Sequence, residues 1–191
     1  MKCVEELKNN ATYRNIMSRC YETEQNNPHH IYSVGDHIDA VVDHIPTDMK
    51  DDEVIVMAAM LHDIGKPDVK ETKADGTDRF IGHAKKSAEI AAPILDEIGI
   101  GGEEKQAILW TVEHHEIGDP VKAKTIRKWL KETTKETIVR LFVLRIADIE
   151  GQSEYQKSEK LAVVRQNLET FSSVLEEEGE YDDIVNTLRK E

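Results

Sequence analysis

The chain has 191 residues, with 38 Asp and Glu against 25 Lys and Arg, a net charge of −13, and two cysteines. That length suits one domain with a real core, and the acidic balance argues against a sequence-tolerant grip on long nucleic acid, which needs basic surface against phosphates. Cys3 and Cys20 make neither a disulfide framework nor a metal finger, no apolar run approaches a bilayer crossing, and the start "MKCVEELKNN" lacks a signal-peptide h-region. A cytoplasmic protein without a membrane partner is therefore expected.

Ala, Glu, Lys, Leu and Ile dominate the periodic segments, and strand-like alternation is rare. The pattern predicts an all-α, single-domain, multi-helix bundle, with helices at roughly 3–24, 32–45, 51–64, 83–97, 103–116, 122–132, 134–150 and 155–177. Residues 1–28 read as an N-terminal helix, 29–151 as the core, and 152–191 as acidic helices that pack on it or bind a partner. Pro28, Pro46, Pro67 and Pro120 fall between helices, whereas Pro93 falls inside one and is expected to kink or shorten it. Gly99, Gly101 and Gly102 supply a stop before the helix that carries Trp110. The irregular stretch 65–82, "GKPDVKETKADGTDRFIG", is long for a compact domain, and such loops are more often functional than idle.

The histidines fall on inward-facing helical stripes. His37 shares a face with Val34 and Val41; His115 stacks with Ile108 and Thr111, His114 with Ala107 and Trp110; Asp148 lies in line with Leu141 and Leu144. His62 and Asp63 end "VIVMAAML", a run apolar on every side and so expected to be buried. Several imidazoles and two carboxylates thus project inward, and a buried carboxylate needs a partner. One divalent cation held by imidazole nitrogen and carboxylate oxygen satisfies them together. The candidate ligands form one set: His37, His62, Asp63, His83, His114, His115 and Asp148. His29, His30 and His44 read as loop or surface residues. The donor types suit manganese, iron, cobalt, nickel, zinc or magnesium, one ion or two.

These motifs resemble the HD-domain superfamily of metal-dependent phosphohydrolases over about residues 29–151. "YSVGDHIDAV" is similar to its first-histidine motif, "MLHDIGKP" to the motif that gives the superfamily its name, and "RIADIEG" to the terminal aspartate motif. "FIGHAKKSAEIA" and "VEHHE" resemble the extra histidine motifs of subfamilies that hold a second metal, which implies that His83, His114 and His115 hold a second ion or contact substrate phosphate. In local wording the likeness is nearest to the HD domain attached to bacterial CCA-adding tRNA nucleotidyltransferases. The cyclic-dinucleotide branch carries a GYP signature after its histidine pair; this chain reads "HHEIGDP" there.

The resemblance implies hydrolysis of a phosphomonoester or phosphodiester bond, by metal-activated water, in a nucleotide or other small phosphate compound. Asp63 binds metal and, in a two-metal site, bridges. Lys66, close beyond His62, is expected as a flexible cation that contacts the substrate phosphate. Arg145, one turn before Asp148, is a weaker candidate for substrate binding, set against a plain ion pair with a surface acid. Two further classes are carried: a catalytically silent metal-binding regulatory module, and a di-iron oxidative relative.

Overall fold

The computed structural model describes residues 2–29 and 32–179. It is an all-α bundle of helices α1 (Lys2–Asn9), α2 (Ala11–Glu22), α3 (Val34–Asp43), α4 (Glu53–Leu61), α5 (Lys66–Val69), α6 (His83–Glu97), α7 (Gly102–His114), α8 (Ala123–Glu132), α9 (Lys135–Glu150) and α10 (Lys157–Glu177). A two-stranded antiparallel ribbon, β1 (Glu71–Thr72) with β2 (Asp78–Arg79), interrupts it. His30 and the C-terminal part of the expected 152–191 segment, from 180 onward, lie outside the described residues.

Helix α4 is the centre. Asp52 caps it by accepting from Val54 N and Ile55 N, and every residue from Ile55 to Leu61 is buried. An all-round apolar helix has to be surrounded, and α1, α3, α6, α7 and α9 all pack on it. Two polar contacts fix its start: Glu53 Oε1 accepts from Cys3 N at 2.9 Å, and Arg140 Nε on α9 donates to Asp52 Oδ2 at 2.7 Å. Helix α10 lies on α8 and α9, where Phe171 meets Phe142 at 5.8 Å between ring centroids. No helix among the described residues is long and apolar enough to cross a membrane.

Three expectations are corrected. The single helix over 3–24 is two helices, because the Asn10 side chain accepts from Tyr13 N and starts α2 afresh. Pro93 does not shorten α6, which runs on to Glu97. The stretch 65–82 is not irregular throughout: it holds α5 and the ribbon, clamped by one buried carboxylate. Asp78 Oδ2 takes Lys70 Nζ at 2.8 Å and Asn26 N at 2.9 Å, and Oδ1 takes Thr72 Oγ1 at 2.6 Å. Burial opposes its ionisation, yet these donors hold the carboxyl down at about 2.

Gly65 lies close against the backbone of α6. Its backbone φ is ordinary, but a Cβ there would sit 2.5 Å from Ser87 N and 2.9 Å from His83 O, both backbone atoms of α6. Gly65 N also donates to Ser87 Oγ at 2.9 Å, which fastens the turn after Asp63 to the helix that starts with His83. Gly65→Ala is therefore expected to cost about 1–3 kcal/mol by overpacking and to push His83 away from Asp63. Thermal unfolding, with metal content measured on the same sample, checks both effects.

Candidate metal centre

The HD turn follows directly from α4. His62 ends the helix with α-region backbone, and Asp63 lies in the turn just beyond it, where α5 begins within one further turn. Both are buried, as the apolar run before them predicts. Four imidazoles then reach one carboxylate. Asp63 Oδ2 lies 3.5 Å from His37 Nε2 and 3.3 Å from His62 Nε2; Oδ1 lies 3.1 Å from His83 Nε2 and 3.5 Å from His115 Nε2. His37 Nε2 also reaches Asp148 Oδ1 at 3.0 Å, so the two aspartates meet at one nitrogen.

The other ring nitrogens define what the Nε2 atoms can do. His62 Nδ1 donates to Ala59 O at 2.7 Å, His83 Nδ1 to Phe80 O at 2.8 Å, His115 Nδ1 to Val112 O at 2.8 Å, and His37 Nδ1 to Gly151 O at 3.3 Å. A carbonyl can only accept, so each Nδ1 carries the proton. In a neutral ring, Nε2 is then a bare lone pair. Four lone pairs therefore converge on carboxylate oxygens, and His83 Nε2 faces His115 Nε2 at 3.1 Å. Lone pairs at that distance repel unless positive charge lies among them. Metal bonds of about 2.0–2.2 Å set adjacent donors roughly 3 Å apart, which is the spacing seen here. His62 Nε2 and Asp63 Oδ1 are buried with no hydrogen-bond partner; the 3.3 Å approach of His62 to Asp63 has ion-pair distance without hydrogen-bond alignment. The residues thus fit divalent cations, in two groups that share Asp63: His37, His62 and Asp63, and Asp63, His83 and His115.

Burial opposes ionisation of Asp63, but His62 and the Lys66 ammonium beside it hold it well below the usual carboxylate range. Asp148 is held low likewise, against its burial, by His37 and the Arg145 guanidinium beside it. Both carboxylates are thus kept anionic and ready to bind a cation.

Three sequence expectations change. His114 stays outside both groups: it is half-buried, its ring stacks on Trp110 at 4.1 Å, and its Nδ1 donates to Trp110 O. Successive helical residues point about 100° apart, so only one of an HH pair can face the cluster. His115, in line with the fully buried Ile108 and Thr111, is that one. Lys66 is not a flexible surface cation. It is buried, with Nζ 2.7 Å from Asp63 Oδ2 and 2.9 Å from Gln25 Oε1, above the Phe80 ring at 5.3 Å. Arg145 pairs with Asp148 Oδ2 at 2.5 Å rather than with a surface acid.

A cleft of about 490 Å³ opens beside the cluster, lined by Lys66, His83, Arg79, Arg145 and Lys160 among others. Sequence pattern pointed to neither Gln25 nor Gln152, which carry side-chain bonds here: Gln152 Nε2 donates to Asp148 Oδ1 at 2.9 Å. Isolated glutamines leave no periodic signal. His29, expected as a loop or surface residue, lines the cleft, while His44 is exposed and hydrogen-bonded within its own helix.

The HD domain family model matches residues 29–150, and the chain belongs to the HD-domain family. Its fold and site are those of a metal-dependent phosphohydrolase class. Two curated relatives are both bifunctional uridylyltransferase/uridylyl-removing enzymes. The one from Cereibacter sphaeroides is 30% identical over 122 residues, 58% of this chain and 12% of the relative. The one from Gluconobacter oxydans is 28% identical over 190 residues, 83% of this chain and 18% of the relative. The chain thus spans less than a fifth of the relatives it matches.

Proposed function

We propose that this chain hydrolyses a phosphomonoester or phosphodiester bond in a nucleotide or other small phosphate compound. The observation that carries the reading is the meeting of four Nε2 lone pairs at Asp63 beside a cleft lined by Lys66, Lys73, Arg79, Arg145 and Lys160. Divalent cations in such a donor set supply Lewis acidity and make water acidic enough to furnish hydroxide near neutral pH. The chain's own residues do the rest. Asp63 holds the two ligand groups together, and the backbone carbonyls behind the imidazoles keep each ring aimed. Lys66, anchored by Asp63 and Gln25, presents its remaining N–H to a phosphoryl oxygen in the cleft. A net charge of −13 would repel an anion in general, but the cleft is locally cationic and of a size that suits a small ligand. The relatives are named for removing a uridylyl group, a nucleotide phosphoryl group, and the proposed chemistry is of that class.

The test is metal analysis of protein purified without added metal, with a phosphate-release screen across nucleotides and sugar phosphates. Manganese, cobalt or zinc with chelator-sensitive phosphate release is the expected result. Iron with oxygen-dependent substrate loss would instead establish oxidative chemistry, and bound metal with no turnover a silent module.

The two ligand groups also predict a stoichiometry. His115→Ala or His83→Ala is expected to lower the metal content from two ions per chain to one, and His114→Ala to leave it unchanged. Elemental analysis of the three variants checks this. Equal loss in all three would mean that the histidine pair acts as a unit.

A further inference from the structure

The cleft has a set of groups to which the proposed hydrolysis gives no individual role. Lys160 stands on α10, beyond the residues that the family model matches. Its Nζ donates to Gln152 Oε1 at 2.5 Å; Gln152 Nε2 donates to Asp148 Oδ1, and Arg145 Nη1 holds Asp148 Oδ2. Gln152 therefore aims Lys160 while facing the buried Asp148 with its other end. His29 completes the group: its backbone carbonyl accepts from Ser153 N at 2.9 Å, and its ring meets Tyr155 edge-on at 5.0 Å. Two polar atoms of this group, His29 Nδ1 and Arg145 Nε, are buried with no hydrogen-bond partner.

Positive charge is in excess there. Burial, and then the charge of Arg145, lowers the Lys160 pKa; burial, and then Lys160 and Arg145, lowers that of His29. The buried carboxylates of this region are committed: Asp148 is shared by His37, Arg145 and Gln152, and Asp78 is tied to Lys70. Glu116 is exposed, 3.6 Å from His83. A cationic group of this kind is stabilised by an anion from outside.

We infer that Arg145, Lys160 and His29 form a subsite for a second phosphate group of the substrate, one that is not cleaved. It rests on the hydrolase reading for its substrate but not for its anion binding. A phosphate suits it better than a carboxylate: three donor groups from separate segments approach it, and a terminal phosphate offers three acceptor oxygens where a carboxylate offers two. The favoured substrate class is a compound with two separated phosphates, such as a nucleoside bisphosphate, the scissile one at the histidine cluster and the other at Lys160.

Two measurements on the full chain test it. Inorganic phosphate titrated into chelator-treated protein should bind, and Lys160→Glu should weaken that binding at least tenfold. In metal-loaded protein, Lys160→Gln should lower the ratio of kcat/KM for a nucleoside bisphosphate over the matching monophosphate about tenfold. Phosphate binding insensitive to Lys160→Glu, or a ratio unchanged by Lys160→Gln, overturns the subsite. Absence of turnover on every phosphate compound would reject the hydrolase reading instead, and the phosphate titration would still decide the subsite.

Discussion

Asp63→Asn is expected to abolish phosphate release and to empty both ligand groups. One carboxylate serves both, with Oδ2 toward His37 and His62 and Oδ1 toward His83 and His115. An amide keeps the shape but removes the charge that balances the cations. Lewis-acid stabilisation is worth several kcal/mol, so turnover should fall by roughly three orders of magnitude or more. The same change strands Lys66, a buried ammonium 2.7 Å from Asp63. Removing one partner of such a pair costs roughly 3–5 kcal/mol of stability. The pH dependence has a definite sign. Because the Asp63 carboxyl is held well below its ordinary range, its stabilisation is fully present above the unfolded value of about 3.9 and is lost as pH falls through the lower folded value. The stability gap between wild type and variant should therefore narrow only in strong acid. Elemental analysis, phosphate release and thermal unfolding in chelator measure the three effects. A variant that keeps two ions and turns over would show that Asp63 is not the bridge.

Lys66→Ala should lower kcat/KM by about 1.5–3 kcal/mol, ten- to a hundredfold, the range for a hydrogen bond to a charged group. Metal affinity should hold or rise, because the ammonium has no lone pair to ligate with and its positive charge next to Asp63 opposes a cation. A fall in kcat would place the lysine on charge that develops in the transition state; a rise in KM alone would mean uniform binding. Lys66→Arg should restore little, since a planar fork is larger and differently aimed than the ammonium that Asp63 and Gln25 hold. Normal turnover with only a lower melting temperature would return Lys66 to a structural partner of Asp63.

Much of this site was legible in the chain. An apolar run that ends in His-Asp places those two residues in the interior whatever surrounds them, because so hydrophobic a helix cannot stay wet. Helical spacing likewise put His37, His115 and Asp148 on buried stripes, where the structure has them. The same spacing rule separates His115 from His114, once the stripe with Trp110 is seen to leave that indole half-buried. Lys66 was placed near the site but in the wrong state, since the ion pair that buries it depends on where the Asp63 side chain turns.

By itself the sequence determined the helical class, the buried position of the HD turn and most of the residues with metal-binding atoms. Periodicity and burial act locally along each helix, so one segment suffices to read them. Only the tertiary structure decided that the two ligand groups share Asp63, that Gly65 lets α6 approach, that Gln25 and Gln152 aim the cations, and that α10 brings Lys160 to the cleft. These are contacts between residues far apart in the chain, set by how helices pack against one another, and no single segment carries a trace of them.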